Sequence, residues 1–143
     1  MYTRLQLCAP LIYKKNSVEP GEWYVQGSGA RILCFELNPA QYRSIEPEQG
    51  LFLGKLLFSG TAVPEDSGGF AANSLAETVI VPAGVYLFSQ QHELLDRDAC
   101  VEFAVEQQKD GLWEKHNLGN LLYIRFLFED NKHVTQIFRP CLP

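Results

Sequence analysis

Strand-like runs dominate the hydrophobic pattern of this chain. RLQLCAP (4–10), EWYVQ (22–26), ARILCFEL (30–37) and LFLGKLLFSG (51–60) are rich in β-branched, aromatic and aliphatic residues. Each is bounded by Gly, Pro, Asn or Ser, the residues that punctuate strands. The stretch ETVIVPAGVYLFSQQ (77–91) reads as two further strands, 77–82 and 84–90, on either side of a bend. Pro82 has no amide to give a ladder, and Gly84 tolerates the positive φ that a bulge or sharp bend needs. The bend therefore re-aims the strand that carries Tyr86 and Phe88.

A helical period appears once at length. It predicts a principal helix over about 98–116, capped by Asp96 or Asp98. Cys100, Val101, Phe103, Ala104 and Val105 gather by i+3 and i+4 spacing, and Glu102, Glu106, Gln107 and Lys109 take the opposite arc. Leu112 and Trp113 resume the apolar face beyond Gly111, which places Trp113 against the sheet. NPAQYRSI (38–45) can form one or two helical turns from Asn38, and TAVPEDSGGFAAN (61–73) reads as a long surface loop.

The chain closes with a hairpin. LLYIRFLF (121–128) and HVTQIFR (133–139) flank EDNK, and a two-residue turn at Asp130-Asn131 sets Glu129 opposite Lys132. That register pairs Phe126 with Thr135, Arg125 with Gln136, Ile124 with Ile137 and Tyr123 with Phe138. One face, Leu122, Ile124, Phe126, Phe128 and Ile137, is a core face for the helix to cover. The other holds Leu121, Tyr123, Arg125, Leu127, Val134, Gln136 and Phe138, too apolar to meet only water. A second sheet layer, a subunit or a ligand must cover it. The whole pattern predicts a single domain, 1–143, of α+β, mostly β class. Its architecture would be a curved antiparallel sheet or open barrel of about nine strands, with one principal helix and a C-terminal hairpin.

Composition narrows the partners. The 143 residues are 46% hydrophobic and 20% charged, enough apolar material for one domain with its own core. The formal net charge is −5 and Lys14-Lys15 is the only adjacent basic pair, which argues against nucleic acid. No run reaches the roughly 18 apolar residues of a membrane span, and the N-terminus lacks the apolar core of a signal peptide. A cytoplasmic protein with four reduced thiols is expected.

Candidate chemistry is sparse. Cys8, Cys34, Cys100 and Cys141 are never closer than 26 residues, and His92, His116 and His133 show no HxH or HExxH spacing. No metal or other cofactor is expected on that ground. Cys8 and Cys34 read as small buried hydrophobes, whereas Cys100, near a helix start, is the thiol best placed for a lowered pKa. GSG (27–29) and SGG (67–69) do not complete a phosphate cradle, and Ser28 lacks the spacing of a nucleophile elbow. No catalytic residue is assigned. Arg125 is the informative polar residue: a guanidinium among aromatics needs an acceptor. Glu36 or Glu77 could supply one, a ligand carboxylate or phosphate could, or the side chain could snorkel to solvent.

VPAGVYLF (81–88), FAVEQQKDGLWEKHNLG (103–119) and LLYIRFLFEDNKHVTQIFRPC (121–141) resemble one half of the GyrI-like small-molecule-binding fold. That fold is also the effector-binding domain of some transcription activators. The resemblance implies a strand leading to a helix with a Trp near its end, then a hairpin running into a Pro. The family sets an acidic residue on the first hairpin strand, where this chain has Ile124 and Arg125. Residues 1–60 offer no matching half, so the family's preference for bulky cations does not carry over.

Pattern and resemblance together predict a non-enzymatic binding module for a small, largely apolar ligand, anionic if Arg125 meets it. Tyr86, Tyr123, Arg125, Gln136, Phe138 and Glu36 are the expected ligand-binding residues. The alternative is a protein-interaction or homodimeric protein whose partner covers the apolar sheet face. An enzyme would draw on Glu36, Tyr86 and Arg125.

Overall fold

The computed structural model describes residues 3–16, 30–61 and 78–142. In chain order they form β1 (Thr3–Leu7), β2 (Leu11–Asn16), β3 (Arg31–Leu37), α1 (Gln49–Phe52) and β4 (Leu53–Thr61). Then follow β5 (Thr78–Val81), β6 (Gly84–Gln91), α2 (Arg97–Trp113), β7 (Leu121–Glu129) and β8 (Lys132–Pro140). The sheet order is β1-β6-β8-β7-β3-β4-β2-β5, antiparallel at every pairing. The fold is α+β and mostly β: a sheet curled into a half-barrel, with one main helix. EWYVQ (22–26), Ser28, Glu77 and residues 62–73 of the expected loop lie outside the described residues. Among those described, no helix is long and apolar enough to cross a membrane.

Two bent ribbons make the curl. β1 and β2 are one run interrupted at 8–10, and β5 and β6 are one run interrupted at 82–83. They pair with each other on both sides of the bends, Thr3 to Leu7 with Phe88 to Gly84, and Leu11 to Lys14 with Val81 to Thr78. β6 continues to β8, while β2 reaches β4 through Lys14, Lys15 and Asn16. β2 and β5 therefore fold over the inner surface of the sheet. Gly60 on β4 marks the closest approach, since a Cβ there would stand 2.7 Å from Tyr13 Cβ and 2.9 Å from Val79 Cγ2. β2 itself, LIYKKN, was not expected from the pattern.

The hairpin has the register that alternation predicts, from Glu129–Lys132 to Tyr123–Phe138. Asp130 and Asn131 take φ of 52° and 60°, the left-handed pair that a two-residue type I′ turn requires. On the outer face, Leu33, Phe35, Leu37, Leu122, Ile124, Phe126 and Ile137 pack with Cys100, Val101, Ala104 and Val105 of α2. Phe128, at the hairpin tip, escapes that core and is exposed.

Asp96 caps α2 by accepting from Ala99 N at 2.9 Å. The helix ends at Trp113, and that side chain is 87% exposed, contrary to the expected packing on the sheet. Gly111 supplies the reason. It lies so close to β6 that a Cβ would meet Leu87 Cδ1 at 2.6 Å, and Trp113, two residues on, points from the opposite side of the helix, about 200° round. Gln107, expected on the outer arc, is buried, with Nε2 donating to Ile137 O at 3.3 Å. NPAQYRSI forms turns, with Asn38 Oδ1 accepting from Ala40 N, and the short α1 lies downstream.

Candidate functional site

The inner surface of the half-barrel is largely filled by aromatic side chains. Tyr13, Ile32, Cys34, Val79, Val81, Tyr86, Tyr123 and Phe138 form one buried cluster. Tyr123 and Phe138, cross-strand partners, stack with centroids 5.5 Å apart. Tyr86 stands edge-on to both, at 6.0 Å from Tyr123 and 5.5 Å from Phe138. The hairpin face that demanded a cover is thus covered by β2 and β5 of the same chain. The cover comes from the same sheet curled on itself.

Arg125 sits in this interior beside Tyr13, with its guanidinium 6.0 Å from the centre of that ring. Its Nη1 donates to Gln136 Oε1 at 3.4 Å, and Gln136 Nε2 donates to Gln90 Oε1 at 2.8 Å. Burial pushes the Tyr13 pKa up, and the nearby Arg125 partly offsets it. Glu36 is not the partner of Arg125. Arg125 faces Ile32 across the ladder, whereas Glu36 faces Leu121, about 13 Å farther along at a strand's usual rise. The ion pairs among the described residues are Lys109–Glu106 and His116–Glu114, and neither touches the interior.

Open space lies beside the bend. A cleft of about 280 Å³ is bounded by residues 82–86, by Gly119, Asn120, Leu121 and Tyr123, and by Pro140, Cys141 and Leu142. Backbone bonds tie these segments together: Cys141 N to Val85 O at 2.9 Å, Leu142 N to Asn117 O at 2.7 Å, and Gly119 N to Pro140 O at 2.9 Å. Gly84 has φ of 153°, a conformation poor for L-residues, with open space where a Cβ would stand. Tyr86 donates its hydroxyl to Pro82 O at 2.5 Å, which holds the ring against the inner wall of the bend. Of the expected ligand-binding residues, Tyr86 and Tyr123 line this cleft, while Arg125, Gln136, Phe138 and Glu36 do not.

A buried cation beneath the cleft escaped sequence reading. Arg139 is fully buried and has no carboxylate partner among the described residues. Its Nε donates to Gly119 O at 2.8 Å, Nη1 donates to Gln108 Oε1, and Nη2 donates to Tyr42 O at 2.5 Å. Burial lowers its pKa to about 10. Gln108 donates onward to Gln41 O at 2.8 Å and Ser44 O at 2.6 Å. One guanidinium thereby fixes the 41–44 turn, α2 and the Gly119 edge of the cleft. Nothing local in FRPC signals this, because its partners come from three distant segments.

Other candidates carry less. Burial pushes the thiols of Cys34 and Cys100 up to about 12, with Asp96 adding to the shift at Cys100, so Cys100 lacks the lowered pKa its position promised. A trough of about 570 Å³ runs between Gln49, Gly50 and Leu53 and the first turns of α2. Its walls include exposed Arg97, Asp98 and Glu102, and it gathers none of the expected site residues. Among the described residues, no three His, Cys, Asp or Glu side chains gather as metal ligands would. Fold and cleft define an α+β protein with a small, apolar-walled opening at the end of a filled half-barrel. Comparison of the chain with protein-family models, with curated proteins and with solved structures finds no match.

Proposed function

We propose that this protein is a non-enzymatic binding module for a small, largely apolar ligand, held in the cleft beside the 82–84 bend. The observation that carries the reading is the convergence of Tyr86 and Tyr123, two residues of the packed interior, on open space at the mouth of the half-barrel. Ligand sites combine apolar walls with few polar groups, and this cleft has that make-up. Phe138 backs both tyrosine rings, so the wall facing a ligand is braced. The resemblance of residues 76–140 to one half of the GyrI-like fold suggests the same class of function. Fragment screening by ligand-observed NMR tests the proposal. Hits on the wild type should vanish in Leu142→Trp, which fills the cleft from an exposed rim position. Hits that survive this substitution unchanged would refute the cleft as the site.

One observation favours the second reading, a protein-interaction or homodimeric protein. Ile12 and Ile80 face each other across β2 and β5 and are 44% and 52% exposed. If that pair is an interface, native mass spectrometry at micromolar concentration should give a dimer that Ile80→Asp splits.

A further inference from the structure

We infer that the cleft beside the bend takes a neutral ring compound no larger than two fused rings, with one uncharged hydrogen-bonding group directed at Asn120. The inference rests on the reading of that cleft as the ligand site and specifies the class of ligand.

Charge is the first argument. No residue lining the cleft has an acidic or basic side chain. Its titratable groups are Tyr86, Tyr123 and Cys141, and burial raises the pKa of each, so all three are neutral at neutral pH. A charged ligand would shed hydration here without meeting a counter-charge, which is unfavourable. Two cations, Arg4 and Arg139, influence the Cys141 thiol, but neither lines the cleft. Arg139 is already committed to Gly119 O, Gln108 and Tyr42 O, and Arg4 points to solvent from β1.

Size and shape follow. The cleft, at about 280 Å³, falls just below the roughly 300–1,000 Å³ of sites for drug-sized ligands. Tyr86 and Tyr123 pack edge to face on each other and are each only 3% exposed, so a narrow strip of ring is all they offer the cleft, room to meet one flat ring and not a bulkier body. Asn120 supplies the polar anchor. Its backbone oxygen is taken by Leu37 N at 2.8 Å, while its exposed carboxamide has no hydrogen bond among the described residues. A carboxamide can both donate and accept, which suits an uncharged N–H or O–H.

Amide NMR titrations at neutral pH with indole, 1-methylindole, tryptamine and indole-3-acetate test this. Indole should shift the amides of Gly84, Gly119, Asn120 and Leu142 saturably. Tryptamine and indole-3-acetate should bind about tenfold more weakly or worse, a loss of roughly 1.4 kcal/mol or more. 1-Methylindole, which lacks the N–H, should bind several-fold more weakly than indole to the wild type, and Asn120→Leu should bind the two alike. If either charged congener binds at these amides as tightly as indole, the neutral-ligand inference falls and the cleft reading stands. Equal affinity of the two neutral indoles for the wild type removes the role given to Asn120. If these amides respond to none of the four, both the inference and the cleft reading fall.

Discussion

Tyr13 of β2 rests directly on Gly60 of β4, so closely that a Cβ at Gly60 would stand 2.7 Å from the Tyr13 Cβ. This contact presses the ribbon of β2 and β5 onto the inner sheet and fills the space a ligand would otherwise occupy. Lys14 O, at 3.0 Å from the same point, leaves little room to yield. Gly60→Ala should therefore destabilise the protein by about 1–3 kcal/mol, the usual cost of overpacking. Urea denaturation is the measurement, with Gly50→Ala as a control, because nothing lies within 4 Å of that Cβ position. Wild-type stability in Gly60→Ala would mean that the ribbon does not sit on the sheet.

The bend offers a different kind of test, because its strain is in the backbone. Gly84 holds φ of 153° with open space beside it, so Gly84→Val meets no neighbour and still costs about 1 kcal/mol or more. Pro82→Ala should cost less, since the carbonyl that accepts the Tyr86 hydroxyl is kept and only chain stiffness is lost. A Gly84→Val protein that melts with the parent would make the bend an ordinary turn.

These two glycines separate what was legible in the sequence from what was not. The bend at 82–84, the Asp96 cap and the register of the hairpin are local: each follows from a few adjacent residues and the alternation of side chains. The cover over the hairpin's second face is not local. It depends on β2 meeting β5 across more than sixty residues and on Gly60 admitting Tyr13, and no periodicity announces either. The site divides in the same way. Tyr86 and Tyr123 were legible because alternation puts them on the inner face, but the opening of the cleft at the start of β7, two residues short of Arg125, was not.

Trp113 turns out of the molecule where a continued apolar stripe predicts burial, and spectroscopy can check it simply. In a Trp23→Phe background its emission should be red-shifted and freely quenched by iodide. Trp113→Ala should change stability by no more than about 0.5 kcal/mol, as at other exposed positions. A loss of several kcal/mol would return the side chain to the core.

Alkaline pH should unfold the protein through its buried acids. Cys34 and Cys100 start from 9.0 and burial pushes both up to about 12. Below pH 9 both states hold these protons and the contribution to stability is complete. Between 9 and 12 the unfolded chain releases them while the folded chain keeps them, so stability falls as pH rises. Tyr13, Tyr86 and Tyr123 act in the same direction from 10.0 upward, and Cys141 does so from 9.0. Arg139 opposes them: lowered from 12.5 to about 10, it adds stability as pH rises through that interval. Six groups outweigh one. Urea midpoints measured with reductant should decline steadily above pH 9, with a shallower slope in Cys34→Ala, and a flat profile would contradict the burial of these groups.

Crystals soaked with neutral ring fragments, indole among them, test most directly whether the opening beside the bend is where this protein binds its ligand. Density for the ring should lie between Tyr86, Tyr123 and Leu142, with its polar atom toward Asn120. Density confined to the trough between α1 and α2, or to the surroundings of Arg125 and Gln136, with the cleft left to water, would contradict the account.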